Sequence, residues 1–252
     1  MNTSKSPHKV ALVTGAGRNI GRAIALSLAR EGFAVAVNVR SSVAEGQAVV
    51  DELLALGTSA LLCVADVTDQ PAVQAMADQV QQHWGRLDVL VNNAAVRHEA
   101  PLAQISAQDW RNTLAVVLDG AFFCSQACAP LLQQSPAGAV INIGGLTAHT
   151  GAAQRVHVVT AKLGLVGLTR ALAHELAPAI TVNCVSPGMI STARNVGTAT
   201  ATPQHHAKHQ PLMERRGSAD EVASMVTWLA SDKARFVTGQ VMHVNGGTYL
   251  GT

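Results

Sequence analysis

The stretch VALVTGAGRNIGRAIA, Val10 to Ala25, decides the architecture. Its first four residues are apolar without a break and read as a strand buried on both faces. Glycines follow at Gly15, Gly17 and Gly21, and apolar residues then recur at helical spacing from Ile20 to Arg30. A strand feeding a helix through a glycine turn aims backbone N–H groups at one point, which suits a phosphate. Gly15 and Gly17 let the chain turn and approach a pyrophosphate, and Gly21 lets the helix lie close on the sheet. Asn19 sits within the turn, and asparagine is the side chain that best tolerates a left-handed backbone.

The same alternation runs outward along the chain. Short apolar runs at Val10 to Val13, Ala34 to Val39, Ala60 to Val64, Val89 to Val91, Ala139 to Ile143, Thr181 to Val185 and Gln240 to Val244 read as seven strands. Between them, Ile20 to Arg30, Ala44 to Leu56, Ala72 to His83, Asp109 to Ala129, Ala153 to Ala177 and Asp220 to Ser231 carry apolar residues three and four apart, as helices do. Right-handed crossovers then give an α/β fold: a Rossmann-like, doubly wound parallel sheet with helices on both faces and ligands at the carboxyl ends of its strands. With 252 residues, 48% of them hydrophobic, the chain reads as one domain, 1–252.

Net charge is +2 with scattered basic residues, which argues against nucleic-acid and membrane partners and for a small-molecule substrate. The polar start MNTSKSPHK has no signal-like apolar core, and no apolar run reads as long enough to span a bilayer, so a soluble cytoplasmic protein is expected. Cys63, Cys124, Cys128 and Cys184 lack CxxC spacing and read as reduced core residues. Only Met189 to Pro211 breaks the rhythm, and this stretch, 189–211, rich in Thr, Ala and His, reads as a lid. Its His205, His206 and His209 lack a carboxylate or cysteine partner, so no metal site is expected.

Beyond the glycine turn, ADVTD around Asp66, VNNAA around Asn93, Lys162, VNCVSPGMIST, PLMERRGSADEVA and VTGQVMHVNGG fall at fixed places. With these motifs the chain resembles the short-chain dehydrogenase/reductase family over essentially its whole length, in its classical form similar to 3-oxoacyl-ACP reductases. The resemblance implies an NAD(P)-dependent oxidoreductase acting on a carbonyl/alcohol pair, assembled as a homotetramer or homodimer through its fourth and fifth crossover helices and C-terminus. It also assigns the pyrophosphate to Gly15, Gly17, Arg18, Asn19, Ile20 and Gly21, the adenine to Asp66 and Val67, and the adenosine and ribose path to Asn93 and Ala94. Lys162 would clamp the nicotinamide ribose, with Pro187, Gly188, Ile190 and Thr192 around the carboxamide and pyrophosphate. At the end of the second strand Val39 is followed by Arg40, Ser41 and Ser42 in place of an acid. A guanidinium there suits a 2′-phosphate, so NADP is expected over NAD, with Arg18 near enough by family analogy to help.

The same resemblance exposes a gap. Counting the family's YxxxK back from Lys162 lands on Val158, its serine position is Gly145 and its asparagine position is Val117. The single tyrosine, Tyr249, lies near the C-terminus, and Asn112 is rotated by roughly 140° from Val117 on a regular helix. Remaining candidates for proton transfer are His149, Arg155 and His157, with Thr147, Arg97 and His98 at other pocket positions, and Tyr249 reaching a neighbouring subunit's site as a further possibility. Three readings stay open: an atypical NADP(H)-binding oxidoreductase, a non-redox lyase or hydrolase using a histidine-lined pocket, and a non-catalytic cofactor-binding partner subunit.

Overall fold

The computed structural model describes residues 9–192 and 210–251. In order, the elements are β1 (Lys9–Val13), α1 (Asn19–Arg30), β2 (Phe33–Val39), α2 (Val43–Ala55), β3 (Ala60–Val64), α3 (Gln70–Trp84) and β4 (Val89–Asn92). There follow α4 (Ala107–Leu114), α5 (Gly120–Gln134), β5 (Gly138–Ile143), α6 (Thr147–Thr150), α7 (Val156–Leu176), β6 (Ile180–Pro187), α8 (Ala219–Leu229) and β7 (Val241–Val244). The seven strands form one parallel sheet in the order β3-β2-β1-β4-β5-β6-β7.

Alternation along each strand builds two cores. Ala11, Val13, Val35, Val37, Val89 and Val91 point to one side, beneath α1, α2 and α8. Their neighbours Val10, Leu12, Ala34, Ala36 and Leu90 point to the other, beneath α3, α5 and α7. Because β2 and β3 lie on one side of β1 and β4 on the other, the crossovers reverse between β1 and β4. The reversal opens a crevice at their carboxyl ends.

Three expectations are corrected. The helix expected over Asp109 to Ala129 is interrupted by a π-helical segment, Ala115–Asp119, in which Gly120 N–H donates to Ala115 O, five residues back. Such a wide turn re-aims the side chains after it. Gly120 also needs its lack of a side chain, since a Cβ there would stand 2.7 Å from Val67 Cγ2. The helix expected from Ala153 starts at Val156, because Gln154 has φ 63° and Arg155 has φ −135°. Finally, the stretches Ala107–Gln134 and Val156–Leu176 are, by length and composition, long and apolar enough to cross a bilayer. Each is apolar on more than its core face, with Phe122 and Leu163 exposed.

At the edges of the proposed lid, Ser191 N–H donates to Gly217 O and Gly217 N–H to Met189 O, at 2.8 and 2.9 Å. The stretch 193–209, with His205, His206 and His209, lies outside the described residues. All four cysteines are free and buried. Desolvation raises every one of the thiols, Cys63 and Cys124 to about 12.

A polar ladder crosses the apolar side beneath the crevice. Asn92 Nδ2 donates to Asn142 Oδ1 at 2.9 Å and to Ser125 Oγ at 3.2 Å, and Asn142 Nδ2 donates to Thr169 Oγ1 at 2.9 Å. All four residues are buried, so β4, β5, α5 and α7 are registered by bonds with no water to replace them. Asn142→Ala is expected to lower the unfolding free energy by roughly 2 to 3 kcal/mol, because it removes two buried hydrogen bonds at once. A urea melt checks this, and a change under 0.5 kcal/mol would remove the ladder from the fold's stabilising contacts.

Candidate active site at the carboxyl edge

The glycine turn is held from three sides. Thr14 Oγ1 accepts from Asn93 N–H and Ala94 N–H at 2.9 and 3.0 Å. Asn93 Nδ2 returns bonds to Thr14 O and Gly15 O at 2.8 and 3.0 Å. On the other flank Asn38 Oδ1 accepts from Gly15 N–H at 3.2 Å, while Asn38 Nδ2 donates to Cys63 O and Ala65 O. Neither Thr14 nor Asn38 was singled out from sequence. Asn38 did leave a signal, as the one polar residue in FAVAVNV.

Within this frame the backbone takes conformations suited to its residues. Gly15 has φ 61° and Asn19 φ 51°, the left-handed region in which asparagine substitutes for glycine. A Cβ on Gly21 would lie 2.4 Å from Gly15 O and 2.6 Å from Asn93 Nδ2, so α1 reaches the turn only because Gly21 has none. The result is a rigid concave backbone at the start of a twelve-residue helix, with no acidic residue in its first turn. That fits a pyrophosphate.

Around this cradle, Arg18 pairs with Glu45 across 3.8 Å at the start of α2. Arg40 and Ser41 stand exposed at the end of β2. Asp66 Oδ1 accepts from both the N–H and the hydroxyl of Thr68, at 2.9 and 2.8 Å, which fixes the turn after β3. Val67 is buried against Gly120. At the β6 end Gly188 N–H donates to Val244 O at 2.9 Å, and a Cβ there would meet Asn245 Cα at 2.6 Å. Ile190 bridges in parallel to Gly217. Pro187 closes β6, and Thr192 follows two residues after Ile190.

The positions expected to carry catalysis are apolar or bare. Val158 is buried on α7 one turn before Lys162, and Val117 is buried in the π turn. A Cβ on Gly145 meets nothing within 4 Å. Gly144 is tight, since a Cβ would stand 2.8 Å from Cys184 Sγ. Lys162 Nζ donates to Ile143 O at 2.5 Å. Burial, followed by the charge of Arg97, pulls its ammonium down to about 8, against a smaller upward pull from Cys184.

The three proton-transfer candidates are not brought together. His149 packs with His243 and Tyr249, at ring-centroid distances of 4.6 and 5.3 Å, and its Nε2 has no hydrogen-bond partner. Burial and then His243 lower its pKa. Arg155 is held by the Glu99 carboxylate through Nε and a terminal nitrogen. His157 is fully buried with both ring nitrogens unpartnered, edge-on to His98 at 5.9 Å. Burial and the neighbouring His98 depress its pKa as well.

Residues 15–249 match the family described as Enoyl-(Acyl carrier protein) reductase. The chain is 40% identical over 243 residues to the 3-oxoacyl-[acyl-carrier-protein] reductase FabG of Staphylococcus aureus, covering 96% of this chain and 98% of that protein. It is 39% identical to the (2S)-[(R)-hydroxy(phenyl)methyl]succinyl-CoA dehydrogenase subunit BbsD of Thauera aromatica, covering 96% and 97%. Among solved structures, a short chain dehydrogenase from Burkholderia cenocepacia in complex with NADP superposes with a TM-score of 0.88 at 34% identity, over 97% of this chain and 99% of that one. A dehydrogenase/reductase from Sinorhizobium meliloti gives 0.90 at 33%, over 96% of each.

The two glycines at the site make opposite predictions. Gly21→Ala is expected to cost about 1 to 3 kcal/mol, because backbone must move to admit the methyl. Gly145→Ala is expected to stay within about 0.5 kcal/mol, since the space is open. Paired urea melts decide it, and equal losses would contradict the geometry.

Proposed function

The chain belongs to the short-chain dehydrogenase/reductase family, and from that premise we propose an atypical NADP(H)-dependent oxidoreductase that interconverts a carbonyl and an alcohol without the family's usual tyrosine, serine and asparagine. The observation that carries the reading is the braced glycine turn: Thr14, Asn38 and Asn93 hold it in the shape a dinucleotide pyrophosphate needs.

In this reading Gly15, Gly17, Arg18, Asn19, Ile20 and Gly21 receive the pyrophosphate through backbone N–H groups. Arg40 and Ser41 receive the 2′-phosphate, the guanidinium supplying a charged fork where an acid would repel it. Asp66 and Val67 line the adenine, Asn93 and Ala94 the ribose path, and Lys162 holds the nicotinamide ribose. Pro187, Gly188, Ile190 and Thr192 border the carboxamide. When bound, the reduced dinucleotide supplies a hydride. The protein's own contribution is to place a carbonyl beside it, exclude water and neutralise the charge that forms on oxygen.

Single-domain organisation fits this scheme, and so does a homodimer or homotetramer, because Phe122 and Leu163 leave apolar faces of α5 and α7 exposed. A 3-oxoacyl thioester is the first substrate to try, since two of the relatives above are named for acyl thioesters. The lyase or hydrolase reading loses its support, because His149 and His157 belong to separate clusters. The non-catalytic reading falls if the pure protein turns over.

Titrating NADPH and NADH, then assaying 3-oxoacyl thioesters, ketones and aldehydes, tests the proposal. Arg40→Asp is expected to weaken NADPH relative to NADH by about 10- to 100-fold, the worth of a charge-assisted bond. Unchanged preference would release Arg40 from the role. Refilling the site with Gly145→Ser and Val158→Tyr together is expected to raise kcat by about 10²-fold, the usual contribution of a positioned acid. No gain in a correctly folded double variant would count against an emptied catalytic set.

A further inference from the structure

We infer that Lys162 is itself the proton donor of this site, its Nζ supplying the acid that Val158 cannot. The inference rests on the reductase reading above.

Geometry narrows the choice to this group. Lys162 lies one turn after Val158 on α7, and its Nζ reaches across to the carbonyl of Ile143, the last residue of β5, at 2.5 Å. Gly144 and Gly145 follow directly. The ammonium is therefore held between the helix position that lacks a phenol and the strand end that lacks a hydroxyl. Neither replacement side chain fills the gap: Gly145 has open space around its absent Cβ, and valine is far shorter than tyrosine.

The three other candidates make their contacts elsewhere. Arg155 is tied to Glu99, and a guanidinium does not give up a proton near neutral pH. His157 is sealed in the interior against His98. His149 turns toward His243 and Tyr249.

The groups that act on Nζ come from three elements: the Ile143 carbonyl on β5, Cys184 on β6 and Arg97 on the loop after β4. Burial and the Arg97 charge bring the ammonium to about 8, against an ordinary lysine near 10.4. An acid poised there gives up its proton near physiological pH and recovers it from solvent. The step balances simply. Lys162 Nζ gives one proton to the carbonyl oxygen as that carbon gains a hydride from the reduced dinucleotide. The C–O π pair becomes the O–H bond, the dinucleotide leaves oxidised, and the neutral amine is reprotonated from water.

Two measurements on the full-length wild-type protein test this. The first titrates Lys162 in NADPH-saturated protein without carbonyl substrate by NMR of ¹³Cε-labelled lysine, its resonance identified among the chain's five lysines by its absence in Lys162→Arg. The second follows kcat/KM for the carbonyl substrate against pH at saturating NADPH, so that both curves report the same NADPH-bound protein. The donor must be protonated, so turnover is high below the lysine midpoint and falls about tenfold per pH unit above it. A midpoint near 8 shared by both curves, with kcat reduced about 100-fold in Lys162→Arg that still binds NADPH, supports the inference. A lysine midpoint above 10, a flat rate from pH 7 to 10, or full turnover in Lys162→Arg overturns it while the reductase reading stands. If wild type binds NADPH yet oxidises it with none of the carbonyl panel at any pH, the reductase reading falls and takes the inference with it. Should Lys162→Arg fail to fold, the two wild-type midpoints still decide, since disagreement between them is sufficient to refute.

Discussion

The contact between Gly21 and the turn before it constrains everything at the carboxyl edge. With Gly15 O only 2.4 Å from where a Cβ would be, α1 can begin where it does for one residue type alone. Its N-terminus then points into the crevice between β1 and β4. Thr14, Asn93 and Asn38 convert that closeness into rigidity, because each bond they make to the turn also ties it to a neighbouring strand. A cradle built this way keeps its shape before any anion arrives, and binding then costs little reordering.

A second rigid layer lies beneath it. The ladder from Asn92 through Asn142 to Thr169 pins α7 to the sheet, and α7 carries Val158 and Lys162. The lysine therefore keeps a fixed place one turn after Val158. Burial and then the Arg97 charge lower its pKa, while the Ile143 carbonyl at 2.5 Å fixes its position. The π turn around Val117 belongs to the same layer, with Gly120 resting on Val67.

Much of this was legible in the chain. The strand runs, the glycine turn and Arg40 at the end of β2 are local signals, each readable from residues adjacent in sequence. Asn19 was readable too, since left-handed backbone is a property of one residue. Less visible were Thr14 and Asn38, whose partners lie 79 and 25 positions away. The π turn was missed because apolar spacing hardly changes when one extra residue enters a helical turn. The start of α7 was placed three residues early because Ala153 and Gln154 are compatible with a helix in composition, whereas the backbone turns left-handed at Gln154.

By itself, then, the sequence determined the fold class, the order of elements, the glycine turn and the valine at position 158, because these follow from side-chain periodicity and from what a residue is. Tertiary structure decided where the surviving polar groups face. His149 joins β7 and the C-terminal tyrosine, Arg155 pairs with Glu99, His157 is entombed beside His98, and Lys162 turns inward to Ile143. Those outcomes depend on contacts between segments far apart in the chain. No periodicity encodes them, since the free energy that selects each rotamer comes from the neighbours that only folding supplies.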